Sequence, residues 1–223
     1  MTALLSKPKS TAKRIDSTVP LDVHDLHVVL SGEAVVDGVS LRIEPGGLLW
    51  LRGENGSGKS TLIRAITGAL PHTGAVSIFG HAPGSLEARE RIYLVADDGF
   101  LFENLTLREH AFFVARFYAR PEREPAVLEW LRRFRLDAVL DQTPAFHSRG
   151  MRQKLALALA LGLALPLSVF DEPYNGLDVE AQGVLDEGLG KLRALGGAVL
   201  LTTHVARDLG AHGELELRAG QIA

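Results

Sequence analysis

The sequence predicts an α/β fold. A core with a mainly parallel sheet is preceded by an N-terminal antiparallel β-subdomain and interrupted by an inserted α-helical subdomain. Three observations carry this expectation. A glycine-rich turn over residues 53–58 joins an apolar run (Leu48, Leu49, Trp50, Leu51) to a segment with helical apolar spacing (Leu62, Ile63, Ala65, Ile66). From residue 150 onward helix and strand patterns alternate, which is how parallel sheets are built. Between about residues 98 and 147 the apolar spacing is helical alone.

Residues 1–20 read as a disordered tail: Lys7, Lys9, Lys13 and Arg14 stand among Ser, Thr and Pro, and no acid precedes Asp16. Such dispersed charges suit a solvated tail better than an anchor on anionic lipid. Residues 21–42 alternate (Val23, Leu26, Val28, then Val35, Val39, Leu41), the period of antiparallel strands, with turns expected at Ser31-Gly32 and Asp37-Gly38. Residues 71–74 read as a turn, 75–79 as a strand and 92–96 as a buried strand. Thr106 and Glu109 have capping-box spacing and open a helix carrying Ala111, Phe112, Val114, Ala115 and Phe117. Pro125 starts another, with Val127, Leu128, Leu131 and Phe134 on one face. Then follow helix 150–163, strand 167–170, helix 179–194, strand 198–202 and a hairpin over 214–222 turning at Ala219-Gly220. Gly183, Gly188 and Gly190 weaken the helix from 179. The expected organisation is a tail over 1–20 and one domain over 21–223, with its helical subdomain at about 98–147.

A chain of 223 residues fits one sizeable core. A formal net charge of −3 leaves no electrostatic footprint for a polyanion, so no nucleic-acid partner is expected. Without cysteine, neither a disulfide framework nor a thiolate metal site is possible. The longest apolar run, 155–170, contains Gly162 and is broken by Pro166, so it reads as a buried helix feeding a buried strand and not as a membrane span. No secretion signal is legible at the N-terminus. A cytoplasmic or membrane-peripheral protein is expected.

The chemistry starts at Gly53-Glu54-Asn55-Gly56-Ser57-Gly58-Lys59-Ser60, followed by Thr61. This is the phosphate-binding P-loop pattern G-x-x-x-x-G-K-S in its proper place between strand and helix. Its glycines admit positive φ and let N–H groups approach anionic oxygens, while the following helix directs its positive end at them. Lys59 would reach the terminal phosphates, and the Ser60 hydroxyl would join a Mg²⁺ shell. Strand 167–170 ends in Asp171-Glu172, and in an open parallel sheet the carboxyl ends of strands gather at the edge where the P-loop also lies. Asp171 would hold Mg²⁺, and Glu172 would orient and deprotonate an attacking water.

Three further stretches follow in order: His147-Ser148-Arg149-Gly150-Met151 continued by Arg152-Gln153-Lys154, then Asn175-Gly176-Leu177-Asp178, then Thr202-Thr203-His204. Together with the P-loop and the paired acids, they resemble the nucleotide-binding subunit of an ABC transporter over about residues 21–222. The first is similar to that family's signature in the S-[KR]-G-M form seen in many exporters, the second to its D-loop, the third to its switch histidine. The resemblance implies ATP and Mg²⁺ as ligands, with Lys59, Glu172 and His204 as catalytic residues. It implies nucleotide contacts from residues 53–61 of one subunit and from Ser148, Gly150 and Asp178. Ser148 and Gly150 would meet the ATP held by a second subunit, in a head-to-tail dimer expected to be a homodimer. It also implies separate transmembrane permease subunits at the cytoplasmic face of the membrane, with Phe100, Leu101 and Phe102 as candidate docking residues and export as the expected direction.

The chain departs from the family pattern twice. Counting back from Leu105-Thr106, the position of the usual metal-sensing Gln holds Asp97, and no Gln lies between the P-loop and Gln142. A carboxylate still suits a hard cation, so Asp97 is expected to ligate Mg²⁺ with altered coupling. The usual base-stacking aromatic is Leu30, which offers apolar cover but no π-face, so weak base discrimination is expected. These departures keep open a regulatory subunit in a heterodimer. A soluble ABC ATPase of translation or DNA repair fits less well, since such proteins usually carry two cassettes or a long coiled-coil insertion. His72, His110 and His212 lack ligand-like spacing and read as ordinary surface or loop residues.

Overall fold

The structure is a computed structural model that describes residues 18–97, 101–203 and 208–223. The chain opens with the antiparallel strands β1 (Leu21–Leu30) and β2 (Glu33–Ile43). They turn at Ser31 (φ 52°) and Gly32 (φ 87°), both left-handed, as a tight hairpin of right-handed strands requires. The second expected turn, at Asp37-Gly38, does not form: β2 runs through both residues. Asp37 and Gly38 (φ 71°) lie opposite His27, between the pairs Leu26–Val39 and Val28–Val36 where the register shifts, so the turn-type residues mark a bulge inside a continuous strand.

Next come β3 (Leu48–Arg52), α1 (Lys59–Ile66) and β4 (Thr73–Ser77). Strand β4 pairs antiparallel with the free side of β1, giving a three-stranded sheet in the order β2-β1-β4. A short α2 (Leu86–Arg89) leads to β5 (Ile92–Val95). Helices α3 (Leu107–Phe117), α4 (Glu124–Arg133) and α5 (Arg149–Leu163) follow. The chain then alternates through β6 (Leu167–Asp171), α6 (Val179–Ala194) and β7 (Ala198–Thr202), and closes with β8 (Gly213–Arg218) and β9 (Gln221–Ile222). The main sheet has the order β5-β6-β7-β3-β8-β9, parallel throughout except for the β8/β9 pair.

Alternation along these strands builds two cores. Leu48, Trp50, Phe170, Val199 and Leu201 face one way, into α3–α6. Leu49, Leu51, Val169, Ala198 and Leu200 face the other way, into α1 and the antiparallel sheet. A sheet covered on both faces needs near-continuous apolar strands, and β6 and β7 are buried at every position. The run 155–170 is indeed a buried helix feeding a buried strand, and no described helix is long and apolar enough to cross a membrane. Helix α6 keeps its full 16 residues despite its glycines. A Cβ on Gly188 would lie 2.6 Å from the Leu161 side chain, so the missing methyl lets α6 close on α5. The helical propensity lost there is offset by packing.

The capping box at Thr106 and Glu109 is present, and it carries a correction. His110 is not a surface residue: it is 1% exposed in the first turn of α3. The Phe102 N–H donates to its Nε2 at 3.1 Å, so the ring proton sits on Nδ1, 2.8 Å from the Thr106 carbonyl. Burial holds its pKa below the usual 6.5 by disfavouring the imidazolium. The unfolded chain therefore takes up this proton first as pH falls below 6.5, and stability declines from there down to the lower folded-state value. The melting temperature should fall as pH is lowered from about 7 to about 5. His110→Gln should flatten that slope in a pH series of thermal melts.

Candidate nucleotide site

The P-loop lies between β3 and α1, held open by backbone constraint. Gly53 has φ 151°, and a Cβ there would lie 2.4 Å from the Leu217 carbonyl and 2.6 Å from Ser57 Oγ. Gly58, φ 105°, caps α1, and a Cβ there would lie 2.7 Å from the Val35 carbonyl. No other residue type fits either place without displacing backbone. The closing hairpin braces the loop from outside. Gly220 N donates to the Ser57 carbonyl at 3.0 Å, and the Gly220 carbonyl accepts from Asp37 N at 2.8 Å. The β8/β9 turn thus ties the P-loop to β2.

Lys59 is 7% exposed and its Nζ donates to the carbonyls of Gly53 (2.7 Å) and Glu54 (3.0 Å). Ser57 Oγ is buried with no hydrogen-bond partner among the described residues. A buried hydroxyl without a partner is costly, and a phosphate oxygen is the acceptor such a cradle fits. Ser60 is exposed at the start of α1.

The paired acids close the other side. Asp171, 5% exposed at the end of β6, accepts from Thr202 Oγ1 at 2.6 Å. The same Thr202 oxygen accepts from Glu172 N at 2.9 Å, and Glu172 stands at φ 48°, left-handed for a non-glycine residue. That conformation costs about 1 kcal/mol and turns the chain sharply at the strand end, directly beyond the last β6 residue. Thr202, 0% exposed on β7, fixes both acids at once. The sequence placed it only as part of a motif; its role needs the β6–β7 register, which pairs Asp171 with Thr202.

Asn55, Lys59, Ser60, Asp97, Asp171 and Glu172 line one cleft of about 450 Å³. Ser60, Asp97 and Asp171 offer oxygen donors suited to Mg²⁺. No three acidic or histidine side chains among the described residues converge tightly enough to hold a metal by themselves. Asp97 Oδ1 already accepts from Arg149 Nη2 and Asn175 Nδ2, each at 3.1 Å. Val35 lines the cleft, whereas Leu30, 36% exposed at the end of β1, does not.

Ser148, Gly150 and Asp178 lie outside the cleft. Ser148 is the exposed N-cap of α5, its Oγ accepting from Met151 N at 3.3 Å. Asp178 caps α6 through Ala181 N (2.8 Å) and pairs with Lys154 Nζ (2.6 Å), which holds its pKa below the usual carboxylate value. His147, just before Ser148, is 8% exposed with neither ring nitrogen partnered among the described residues, and burial lowers its pKa. His204 and Phe100 lie outside the described residues.

An α/β core whose P-loop opens on two strand-end carboxylates defines a P-loop nucleotide-binding protein. The family described as ABC transporter matches residues 36–175. The ABC-type transporter ATP-binding protein EcsA of Bacillus subtilis is 34% identical over 190 residues, covering 83% of this chain and 77% of that protein. The Nod factor export ATP-binding protein I of Burkholderia pseudomallei is 33% identical over 200 residues, covering 86% of this chain and 65% of its own length. A solved ATP-binding subunit of an ABC transporter superposes with a TM-score of 0.85 at 34% identity, over 91% of this chain and 87% of that one. The chain belongs to the ABC transporter family, as an ATP-binding subunit.

Thr202→Val keeps the shape of the buried side chain but removes the hydroxyl shared by Asp171 and Glu172. It should lower stability by about 1–3 kcal/mol and slow ATP turnover about tenfold. Chemical denaturation and a phosphate-release assay read the two effects.

Proposed function

We propose that the chain hydrolyses Mg²⁺-bound ATP at an interface between two ATPase subunits, a homodimer, and so drives transport through separate permease subunits. The observation that carries this reading is the division of the site. The residues suited to holding nucleotide share one cleft, while the N-terminus of α5, with exposed Ser148 and half-buried Gly150, lies outside it. A second copy packed head to tail supplies the missing half.

In this reading the P-loop N–H groups from Glu54 to Thr61 cradle the phosphates and Lys59 neutralises the β- and γ-oxygens. Ser60 and Asp171 would hold Mg²⁺, with Asp97 as a further oxygen donor at the edge of the cleft. The cation stabilises charge developing on the phosphate oxygens. Glu172, its backbone fixed by Thr202, takes the proton of the attacking water, and His204 contacts the γ-phosphate. Asp178 acts by seating the D-loop on α6. ATP favours the closed dimer because only that state completes its contacts, which converts binding into motion.

A groove of about 380 Å³ beside α3, lined by Tyr93, Leu101, Phe102, Phe113, Phe117 and Tyr118, is the docking surface for an apolar permease element. Phe117 is 71% exposed and Phe112 49%. The helical part over about 98–147 carries most of it; of the expected tail over 1–20, residues 1–17 lie outside the described residues, while Val19 and Pro20 are buried and the Val19 carbonyl accepts from Phe79 N at 3.1 Å. The name of one relative, a Nod factor export ATP-binding protein, supports export; in this reading the chain attaches peripherally to its permease subunits at the cytoplasmic face. A regulatory role beside a better catalyst in a heterodimer is a second reading, favoured by the engagement of Asp97 with Arg149.

Glu172→Gln should cut ATP turnover by about 10²–10⁴-fold while leaving ATP binding intact. With ATP and Mg²⁺ that variant should double its apparent mass in size exclusion; a purified chain that stays monomeric supports the heterodimer instead. ATP and GTP should be turned over at comparable rates, because Leu30 gives no stacking face. Recovery of ribosomes or DNA in place of a membrane protein on co-purification would sink the transport reading.

A further inference from the structure

Two arginines one turn apart on α5 carry ion pairs that phosphate binding does not explain. Arg149 Nη2 donates to Asp97 Oδ1 at 3.1 Å, at the edge of the nucleotide cleft. Arg152 grips both oxygens of Glu103, Nη1 to Oε2 at 3.0 Å and Nη2 to Oε1 at 2.5 Å. Glu103 follows Leu101 and Phe102, which line the apolar groove. The turn directly after Ser148 is therefore held from the cleft on one side and from the groove on the other.

The same turn is laced to the D-loop. Asn175 Nδ2 shares Asp97 Oδ1 with Arg149, Gln153 Nε2 donates to the Pro173 carbonyl at 3.1 Å, and Lys154 pairs with Asp178. Gly150 approaches so closely that a Cβ there would lie 2.6 Å from the Gly176 carbonyl. The start of α5 and residues 173–178 thus form one packed block.

We propose that Asp97–Arg149 and Glu103–Arg152 act as a two-point clamp that positions Ser148 and Gly150, so that displacement at the groove or at the cleft edge moves the start of α5 and the D-loop together. Arg149, Arg152 and Glu103 are positioning residues in this account. Asp97 serves the clamp because it is a carboxylate: an amide there would accept a hydrogen bond but form no ion pair. What Ser148 and Gly150 do once positioned rests on the proposed function; the clamp itself is a property of the nucleotide-free chain. Arg149 is 69% exposed and Asp97 41%, so each pair is worth a few-fold at most and is weakened by salt.

The test uses Glu103→Gln, which alters no group of the nucleotide cleft, and Asp97→Asn, each on the full chain. In nucleotide-free protein the amides of Met151 and Arg152 should exchange about threefold faster in either variant. The difference should shrink as salt rises from about 0.05 to about 0.5 M. Glu103→Gln should also lower kcat about threefold at unchanged KM for ATP. Reversing the pair, Glu103→Arg with Arg152→Glu, should restore both readings. Unchanged exchange in both single variants, or failure of the reversed pair to restore it, overturns the clamp. A wild-type chain that hydrolyses no ATP would instead overturn the proposed function, and the exchange result would still decide the clamp.

Discussion

The site depends on holding one buried ammonium. Lys59 is almost fully enclosed, and a lysine so placed is tolerated only where oxygen atoms surround it. The carbonyls of Gly53 and Glu54 do so, and they can turn inward only because residues 53 and 58 adopt angles and approaches that exclude any side chain. The loop is therefore shaped by its own cation and presents that charge to a ligand. Its outer face is fastened by Gly220, which Asp37 of β2 holds in turn, so the closing hairpin ties the loop to the first one.

The opposite wall follows from sheet register. Pairing β6 with β7 sets Asp171 beside Thr202, and the threonine hydroxyl then fixes both the carboxylate and the backbone of Glu172. The arrangement places two acids in the same cleft as the buried lysine, the opposition of charges that the proposed site uses. The cleft is walled by the P-loop, the start of α1 and the strand-end acids, and Asn175 reaches into it from the block that residues 173–178 form with the start of α5. Asp97, accepting from both Arg149 and Asn175, links the edge of the cleft to that block.

Much of this was legible in the sequence. The G-x-x-x-x-G-K-S run, the apolar strand ending in Asp171-Glu172, the capping box at Thr106 and the helix-to-strand run 155–170 are local patterns, and local patterns specify local geometry. What escaped was set by tertiary contact. Asp37-Gly38 has the residues of a turn, but a bulge demands the same positive φ, and only the strand partner decides between them. His110 looked like a surface histidine because its burial comes from Phe102 folding back over α3. Gly188 looked like a helix weakness because Leu161 lies far away in sequence. The ion pairs of Arg149 and Arg152 span about 50 residues each and have no short-range trace.

The proposed mechanism requires a second copy to complete each site. The chain contains no cysteine, so single thiols can be placed at will. One population carrying Asn55→Cys and another carrying Phe146→Cys, both with Glu172→Gln, would be mixed and treated with a short bis-maleimide. Asn55 lies in the P-loop, and Phe146, 83% exposed, stands just before the start of α5. A covalent link between the two populations that requires ATP and Mg²⁺ is the predicted result. No inter-chain link, or one formed equally without nucleotide, would contradict a site shared between subunits.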